Sequence, residues 1–365
     1  MTDEPPRTTP TVMTVLGPVS PDDLGICSPH EHLLVDVRDA YWREPAEKYL
    51  QDFAANPIEI GNLYLLRRHF LQHRANLVLD DVDLAVSELM KFADLGGRTI
   101  VDVTPQDVGR NPRAVQEISR RTGVHIVLGC GHYVHLAHDP ALGAESLESM
   151  CDRFVQEIEH GIGDTNIRPG IIGEIGTSYP LHPVEERVLR AAARAQTTTG
   201  VALTVHLHPP SRSGLDIVDI LDDEGADLSR VVLCHVDIAL GHLDVTMADV
   251  VAYHGAMARR GCYIEYDTIG FPDAYMPKTE IYDAFWFPSD RERAEALARL
   301  ADEGLLDRIL IAQDVCHRLH LTRYGGYGYG HILREFVGTL NDYGFGRSEC
   351  DQLLIHNPAR MLARA

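Results

Sequence analysis

Eight short apolar stretches, rich in β-branched residues, recur along the chain: "GICSPHEHLLVD" (25–36), "GRTIVDVT" (97–104), "VHIVLGCG" (124–131), "PGIIGEIG" (169–176), "VALTVHLH" (201–208), "RVVLCHVD" (230–237), "GCYIEYDT" (261–268) and "RILIAQDV" (308–315). They run nearly continuously hydrophobic instead of alternating, as parallel strands buried on both faces do. Helical patterns separate them. Over 145–161, Leu147, Met150, Cys151, Phe154, Val155 and Ile158 recur at helical spacing before Gly161. Asn111-Pro112 opens a helix over 110–122 that stops at Gly123, and helices at 184–199, 214–224, 246–260 and 290–303 stop at Gly200, Gly225, Gly261 and Gly304. An eightfold strand–helix alternation predicts an α/β fold, a (β/α)8 TIM barrel, with an open doubly wound sheet as the competitor. The first interval, 37–96, has room for a helical insertion over one end of the barrel, with an amphipathic segment near 83–94 and another helix at 58–74.

A length of 365 residues suits one barrel domain, expected over 13–365 behind a disordered tail at 1–12, "MTDEPPRTTPTV". The tail lacks the basic start and apolar stretch of an export signal. No apolar run approaches a membrane span. Seven cysteines, an odd number with no CxxC pair, suit reduced thiols, so a cytoplasmic protein is expected. A formal charge of −21 argues against nucleic acid or an anionic membrane as partner and leaves a small-molecule substrate. No phosphate-binding glycine loop of Walker or Rossmann spacing and no further repeat is present.

Barrel enzymes carry their chemistry at the C-terminal ends of the strands. Those ends hold His30 and His32, Glu174, His206 and His208, His235, Asp267 and Asp314. A spacing of two sends His30 and His32 to one side and Glu31 to the other. Each residue alone suits an ordinary strand end; their convergence on one rim points to a metal. Imidazole with carboxylate suits Zn, Mn, Co, Ni or Fe, and the lack of paired cysteines disfavours a structural thiolate site. Four imidazoles and two carboxylates exceed the needs of one tetrahedral ion and suit two divalent ions, which need an anionic ligand between them. Glu174 is the candidate bridge, because an unpaired carboxylate in an apolar strand would cost several kcal/mol. The simpler reading is a mononuclear site of His30, His32, His206, His235 and Asp314 with Glu174 behind it.

Taken together, "HEH", "GEIGTS", "VHLH", "LCHVD", "YDT" and "AQDV", with "YGGYGYGHIL" (324–333) and "NPARML" (357–362), resemble the phosphotriesterase family of the amidohydrolase superfamily from about residue 14 onward. The resemblance implies that His30, His32 and Asp314 hold one ion, that His206 and His235 hold the other, and that Glu174 and a hydroxide bridge both. It leaves His208 at the rim, makes zinc the expected metal and implies a homodimer. Asp314 is the expected catalytic residue, taking the proton from the attacking hydroxide. Two positions depart from the founding members. Those enzymes bridge their metals with a carboxylated lysine, whereas this chain has only Lys48, Lys91 and Lys278, none within seventy residues of Glu174. Thr268 also follows Asp267 where the founding members have a proton-relay histidine.

A bridging glutamate resembles the phosphotriesterase-related branch, associated with ester, lactone or amide hydrolysis. The expected reaction is therefore hydrolysis of a small carboxylic ester, lactone or amide. The alternatives are a phosphotriester hydrolase and a metal-containing binding protein without turnover. Substrate contacts are expected from the loops: His132 and Tyr133 after the third strand, Asp267 in "DTIGFPDAYMP" (267–277), and Arg318, with Arg323, in "CHRLHLTRYGGYGYG" (316–330).

Overall fold

The computed structural model describes residues 10–208, 211–242, 244–271, 275, 276, 278 and 284–364. The eight apolar stretches form the strands β1 (Ile26–Glu31), β2 (Gly97–Asp102), β3 (His125–Cys130), β4 (Ile171–Gly176), β5 (Ala202–His206), β6 (Val231–Cys234), β7 (Tyr263–Tyr266) and β8 (Ile309–Ile311). They pair in parallel and in chain order, as a barrel requires and an open doubly wound sheet does not. The ring is nearly closed. At the seam the Asp314 N–H donates to the His30 carbonyl at 3.2 Å. The Glu31 carboxylate takes the place of further ladder bonds, accepting from the N–H groups of Gln313 at 3.1 Å and Val315 at 2.8 Å and from the Ser28 hydroxyl at 2.6 Å. Glu31 thus does point away from the histidines on either side of it, and its reason for being there is the seam.

The expected helices surround the ring: α1 (Val82–Asp94), α2 (Pro112–Thr122), α3 (Leu147–His160), α4 (Pro183–Thr199), α5 (Gly214–Asp223), α6 (Met247–Arg259) and α7 (Asp290–Asp302). Side-chain caps explain where they start. Asp81 accepts from the Leu84 N–H, Asn111 from Ala114 and Ser146 from Ser149. Gly200 ends α4 in the left-handed region, φ 72°, which costs glycine little. Among the described residues no helix is long and apolar enough to cross a membrane.

Inside the barrel, Val101, Val127, Ile171, Ala202, Val232 and Leu310 form the lower core, and Val12, Leu24, Met361 and Leu362 plug its floor. Of the expected disordered tail 1–12, residues 11 and 12 belong to the folded domain. Thr11 exchanges two backbone hydrogen bonds with Arg364, both 2.8 Å, and Val12 is fully buried; residues 1–9 lie outside the described residues.

The insertion after β1 is helical, as expected, but the helix expected over 58–74 is broken. Its pieces are a 3-10 turn at Ile60–Asn62, an α-helix at Leu63–Arg68 and a second 3-10 turn at Phe70–Gln72. The chain leaves helical geometry at His69, φ −133° and ψ 42°, and Phe70 and Leu71 then wall the cavity at the barrel mouth. Leu50, Phe53, Leu66 and Phe70 pack there with Ile238, Met276, Phe285 and Phe287. An apolar roof covers the C-terminal rim.

Candidate metal centre

The carboxylate in "IIGEIGTS" comes from a strand bent for the purpose. Pairing of β4 with β5 slips between Ile172 and Ile175. Gly173 adopts φ 121°, where a Cβ would run into the Thr204 carbonyl, so only glycine fits. Glu174 then projects into the mouth, 2 % exposed. Its Oε2 lies 3.0 Å from His206 Nδ1, 3.6 Å from His235 Nε2 and 3.7 Å from His30 Nε2, and its Oε1 lies 3.4 Å from His32 Nε2. Asp314 Oδ1 stands 3.3 Å from His32 Nε2 and 4.0 Å from His30 Nε2.

Among the described residues four groups of side chains stand close enough to share an ion, and two of them, His30–His32–Glu174 and Glu174–His206–His235, have Glu174 in common. His30 Nε2 is buried with no hydrogen-bond partner. A buried polar atom left without a partner is costly unless something else binds it, so the donor set fits divalent cations. His235 and Asp314 both sit at positive φ, 60° and 47°. Non-glycine residues held there mark places where the surroundings enforce a strained backbone, commonly at functional sites.

A second layer fixes the imidazoles. His30 Nδ1 is 3.0 Å from Glu265, His32 Nδ1 is 2.8 Å from the Thr104 hydroxyl, and His235 Nδ1 is 2.8 Å from Asp267. In each the partner holds Nδ1 and leaves Nε2 for the centre, as outer partners of metal-binding histidines do. Of these partners the sequence pointed only to Asp267, and in another role. Glu265 carried the same signal as Glu174, a carboxylate inside an apolar strand, two residues before Asp267 on the same face. Thr104 carried none.

Charge is unevenly matched. Burial opposes protonation of His30, but Asp267, Glu265 and Glu174 outweigh it and raise its pKa to about 10. Burial likewise works against His235, and Asp267 and Glu174 push it well above the usual range. Burial and the neighbouring His235 lower His206. Burial would raise Glu174 and Asp314, yet the surrounding imidazoles hold both below ordinary carboxylates. The carboxylates demand positive charge, from protons or from cations, so cation binding displaces protons.

The centre opens on a cavity at the barrel mouth. His32, Glu174, His206, His235 and Asp314 form its floor, and Phe70, Leu71, Ile238, Phe271, Met276 and Phe287 are prominent in its walls. Tyr133 lines it as expected, its ring 4.9 Å from that of His206 and its hydroxyl 2.6 Å from that of Tyr41. Cys316 and His317, at the start of the expected loop 316–330, also line it, as does Tyr41, which carried no sequence signal for that.

Three residues expected to meet substrate stand elsewhere. Asp267 is fully buried and spends both oxygens on His235, through Nδ1 and the backbone N–H at 2.9 Å. His132 turns away beneath its loop, held by Asp107 at 2.8 Å and Arg153 at 2.9 Å. Arg318 donates to the Val78 carbonyl and pairs with Asp80, on the far side of its loop. His208 stays off the centre with its ring 6.0 Å from that of Tyr179. Thr268 lines the cavity, but its hydroxyl donates to Asp237 at 2.5 Å and accepts from Arg293 at 2.7 Å. Of the loop 267–277, residues 272–274 and 277 lie outside the described residues.

The model of the phosphotriesterase family matches residues 10–362. An N-acetyltaurine hydrolase of Danio rerio is 35% identical over 360 residues, covering 96% of this chain and 97% of its own. A resiniferatoxin-binding protein from Rhodobacter sphaeroides has the same fold with a TM-score of 0.91 and 38% identity, over 96% of this chain and 94% of the other. A lactonase from Listeria monocytogenes follows with a TM-score of 0.76 and 25% identity, over 96% and 98%.

Proposed function

We propose that this chain, which belongs to the phosphotriesterase family, uses a binuclear metal centre to hydrolyse a small carboxylic ester, lactone or amide. One observation carries the reading: a single buried carboxylate, Glu174, is shared by two clusters of metal-binding geometry. His30, His32 and Asp314 would hold one ion, His206 and His235 the other, and Glu174 both. Zinc is the first choice, since imidazole and carboxylate with no thiolate suit it. Bound divalent ions supply a water acidic enough to ionise near neutral pH and polarise the substrate carbonyl.

The chain's own groups do the rest. Asp314 is the base: it is ionised, and its side chain, 14% exposed, opens to the cavity. It takes the nucleophile's proton and passes it to the leaving group. Tyr133, with its hydroxyl in the cavity wall, is positioned to bind a substrate oxygen. The roof formed by Phe70, Phe285 and Phe287 excludes water and strengthens these interactions. A cytoplasmic location belongs to the same reading, supported by seven cysteines that are all free; so does a homodimer, which rests on the resemblance alone.

The test is the full chain reconstituted with zinc, assayed for bound metal and against lactones, acyl esters, amides including N-acetyltaurine, and phosphotriesters. Two equivalents of metal and turnover of a carboxylic substrate are expected, with Asp314→Asn losing at least a thousandfold in kcat while keeping most of the metal. Undiminished turnover in Asp314→Asn, or a preference for phosphotriesters, would overturn it.

A further inference from the structure

The cavity walls are unusual for what they lack. Among the described residues, no lysine or arginine lines the cavity above the centre. Some of its polar groups outside the metal-binding set are engaged with one another or with buried neighbours, while His317 Nε2 is buried without a hydrogen-bond partner. The Tyr41 and Tyr133 hydroxyls meet at 2.6 Å, and the Thr268 hydroxyl is tied to Asp237 and Arg293. His317, also in the wall, stands edge-on to Phe70; burial and the neighbouring His320 push its imidazole down to about 3, so it carries no charge near neutral pH. The rest of the wall above the floor is largely apolar, including Val37, Leu71, Val108, Ile238, Phe285 and Phe287.

We propose that this cavity selects an uncharged substrate with an apolar body, an aliphatic or aryl ester, lactone or amide, and rejects one carrying a sulfonate, carboxylate or phosphate. The inference rests on the hydrolase reading and names its substrate class. An anion entering this wall gives up its hydration and finds no cationic side chain in return, and a desolvated, unpaired charge is among the costliest things to bury. The carboxylates on the floor are matched by the positive charge that they hold, so they offer a distal anionic group no partner, and the net charge of −21 steers anions away. Basic residues do lie nearby. Arg43, Arg68 and Lys278 line a neighbouring outer cavity together with Glu44 and Glu47, and Tyr41, Phe70, Leu71 and Met276 line both cavities. A short anionic tail on a substrate whose carbonyl sits over the centre ends among the apolar walls. An apolar tail of the same length gains from every methylene that it buries.

The experiment uses the zinc-loaded full chain and matched pairs: N-butylacetamide against the acetamide of 2-aminoethanesulfonate, and methyl valerate against monomethyl succinate. The neutral member should lead by at least tenfold in kcat/KM, and KM should fall about threefold per methylene added to the neutral series. Phe271→Arg, at the half-exposed rim of the wall, should narrow the ratio, whereas Phe271→Leu should not. Calorimetry with uncleavable ligands gives a readout independent of turnover: 2-nonanone should bind at least tenfold more tightly than octanesulfonate. If no pair is hydrolysed but the ketone binds selectively, the hydrolase reading falls and the selectivity stands. Equal or better binding or turnover of the anionic members would overturn the proposal.

Discussion

Replacing Glu174 by glutamine tests the centre most directly, because it removes one charge and changes almost no volume. The carboxylate oxygens lie 3.0 to 3.7 Å from four imidazole nitrogens. A negative charge about 3.5 Å from a unit positive charge, at an effective dielectric constant of about 20, is worth about 5 kcal/mol. Halving that, for the amide dipole that glutamine retains and for local relaxation, leaves about 2 to 3 kcal/mol, roughly a hundredfold in the affinity for a cation. Glu174 is a ligand in both clusters, so both ions should bind more weakly and the more weakly held one should be lost first. The assay is elemental analysis after dialysis of the zinc-loaded protein against graded chelator. Glu174→Gln should release an equivalent at about a hundredfold lower chelator strength than the unsubstituted chain, and hydrolysis should fall by at least that factor. Its circular dichroism should be unchanged, because the backbone bond from the Glu174 N–H to the Val103 carbonyl does not involve the side chain. Two equivalents held with unchanged affinity, together with turnover within threefold of the original, would refute the bridging role.

Asp267→Asn leaves His235 without its carboxylate partner at 2.8 Å, and zinc affinity should drop by about 10- to 100-fold with no change in helix content; substrate KM moving while zinc affinity stays fixed would restore Asp267 to the substrate side. Glu31→Gln offers one acceptor oxygen where the seam has two N–H groups and a hydroxyl to satisfy, so urea unfolding should show a loss of about 1 to 3 kcal/mol; an unchanged midpoint would mean that water satisfies the seam. His254 is fully buried away from the centre, 2.8 Å from the Tyr266 hydroxyl, and burial lowers its pKa to about 3. The unfolded chain takes up this proton below about pH 6.5 while the folded chain does not, so stability falls as pH drops from 6.5 toward 3. His254→Asn should remove that contribution, on the order of 4 kcal/mol at the acid end. Parallel stability–pH curves for the two proteins would contradict it.

The barrel was legible because its cause is local. A strand buried on both faces must be apolar throughout, and a helix packed against it must show an apolar stripe and a stop, so all eight strands and seven helices could be read from periodicity, caps and glycines. The ligand set was legible for a related reason: in "HEH" and "IIGEIGTS" charged groups interrupt runs that burial would otherwise keep apolar, and strand parity tells which way they face. The same logic would have found Glu265. It could not tell Asp267 from a substrate contact, because parity gives the direction of a side chain and not what it meets.

That distinction needed distances across the barrel. Loop residues escaped for the same reason: His132 and Arg318 follow their strands closely in sequence, yet Asp107, Arg153 and Asp80 pull them off the cavity. Phe70 and Leu71, far from any strand end, are brought into its wall by the break at His69. What the sequence determined by itself was the fold, because it follows from burial along single strands; strand position brought forward the candidate metal-binding groups, and only the family resemblance chose among them. The tertiary structure alone decided which carboxylates stand behind the imidazoles and that, among the described residues, the chamber above is largely apolar and lined by no lysine or arginine, since each of these depends on side chains from strands and loops far apart in the chain meeting at one rim.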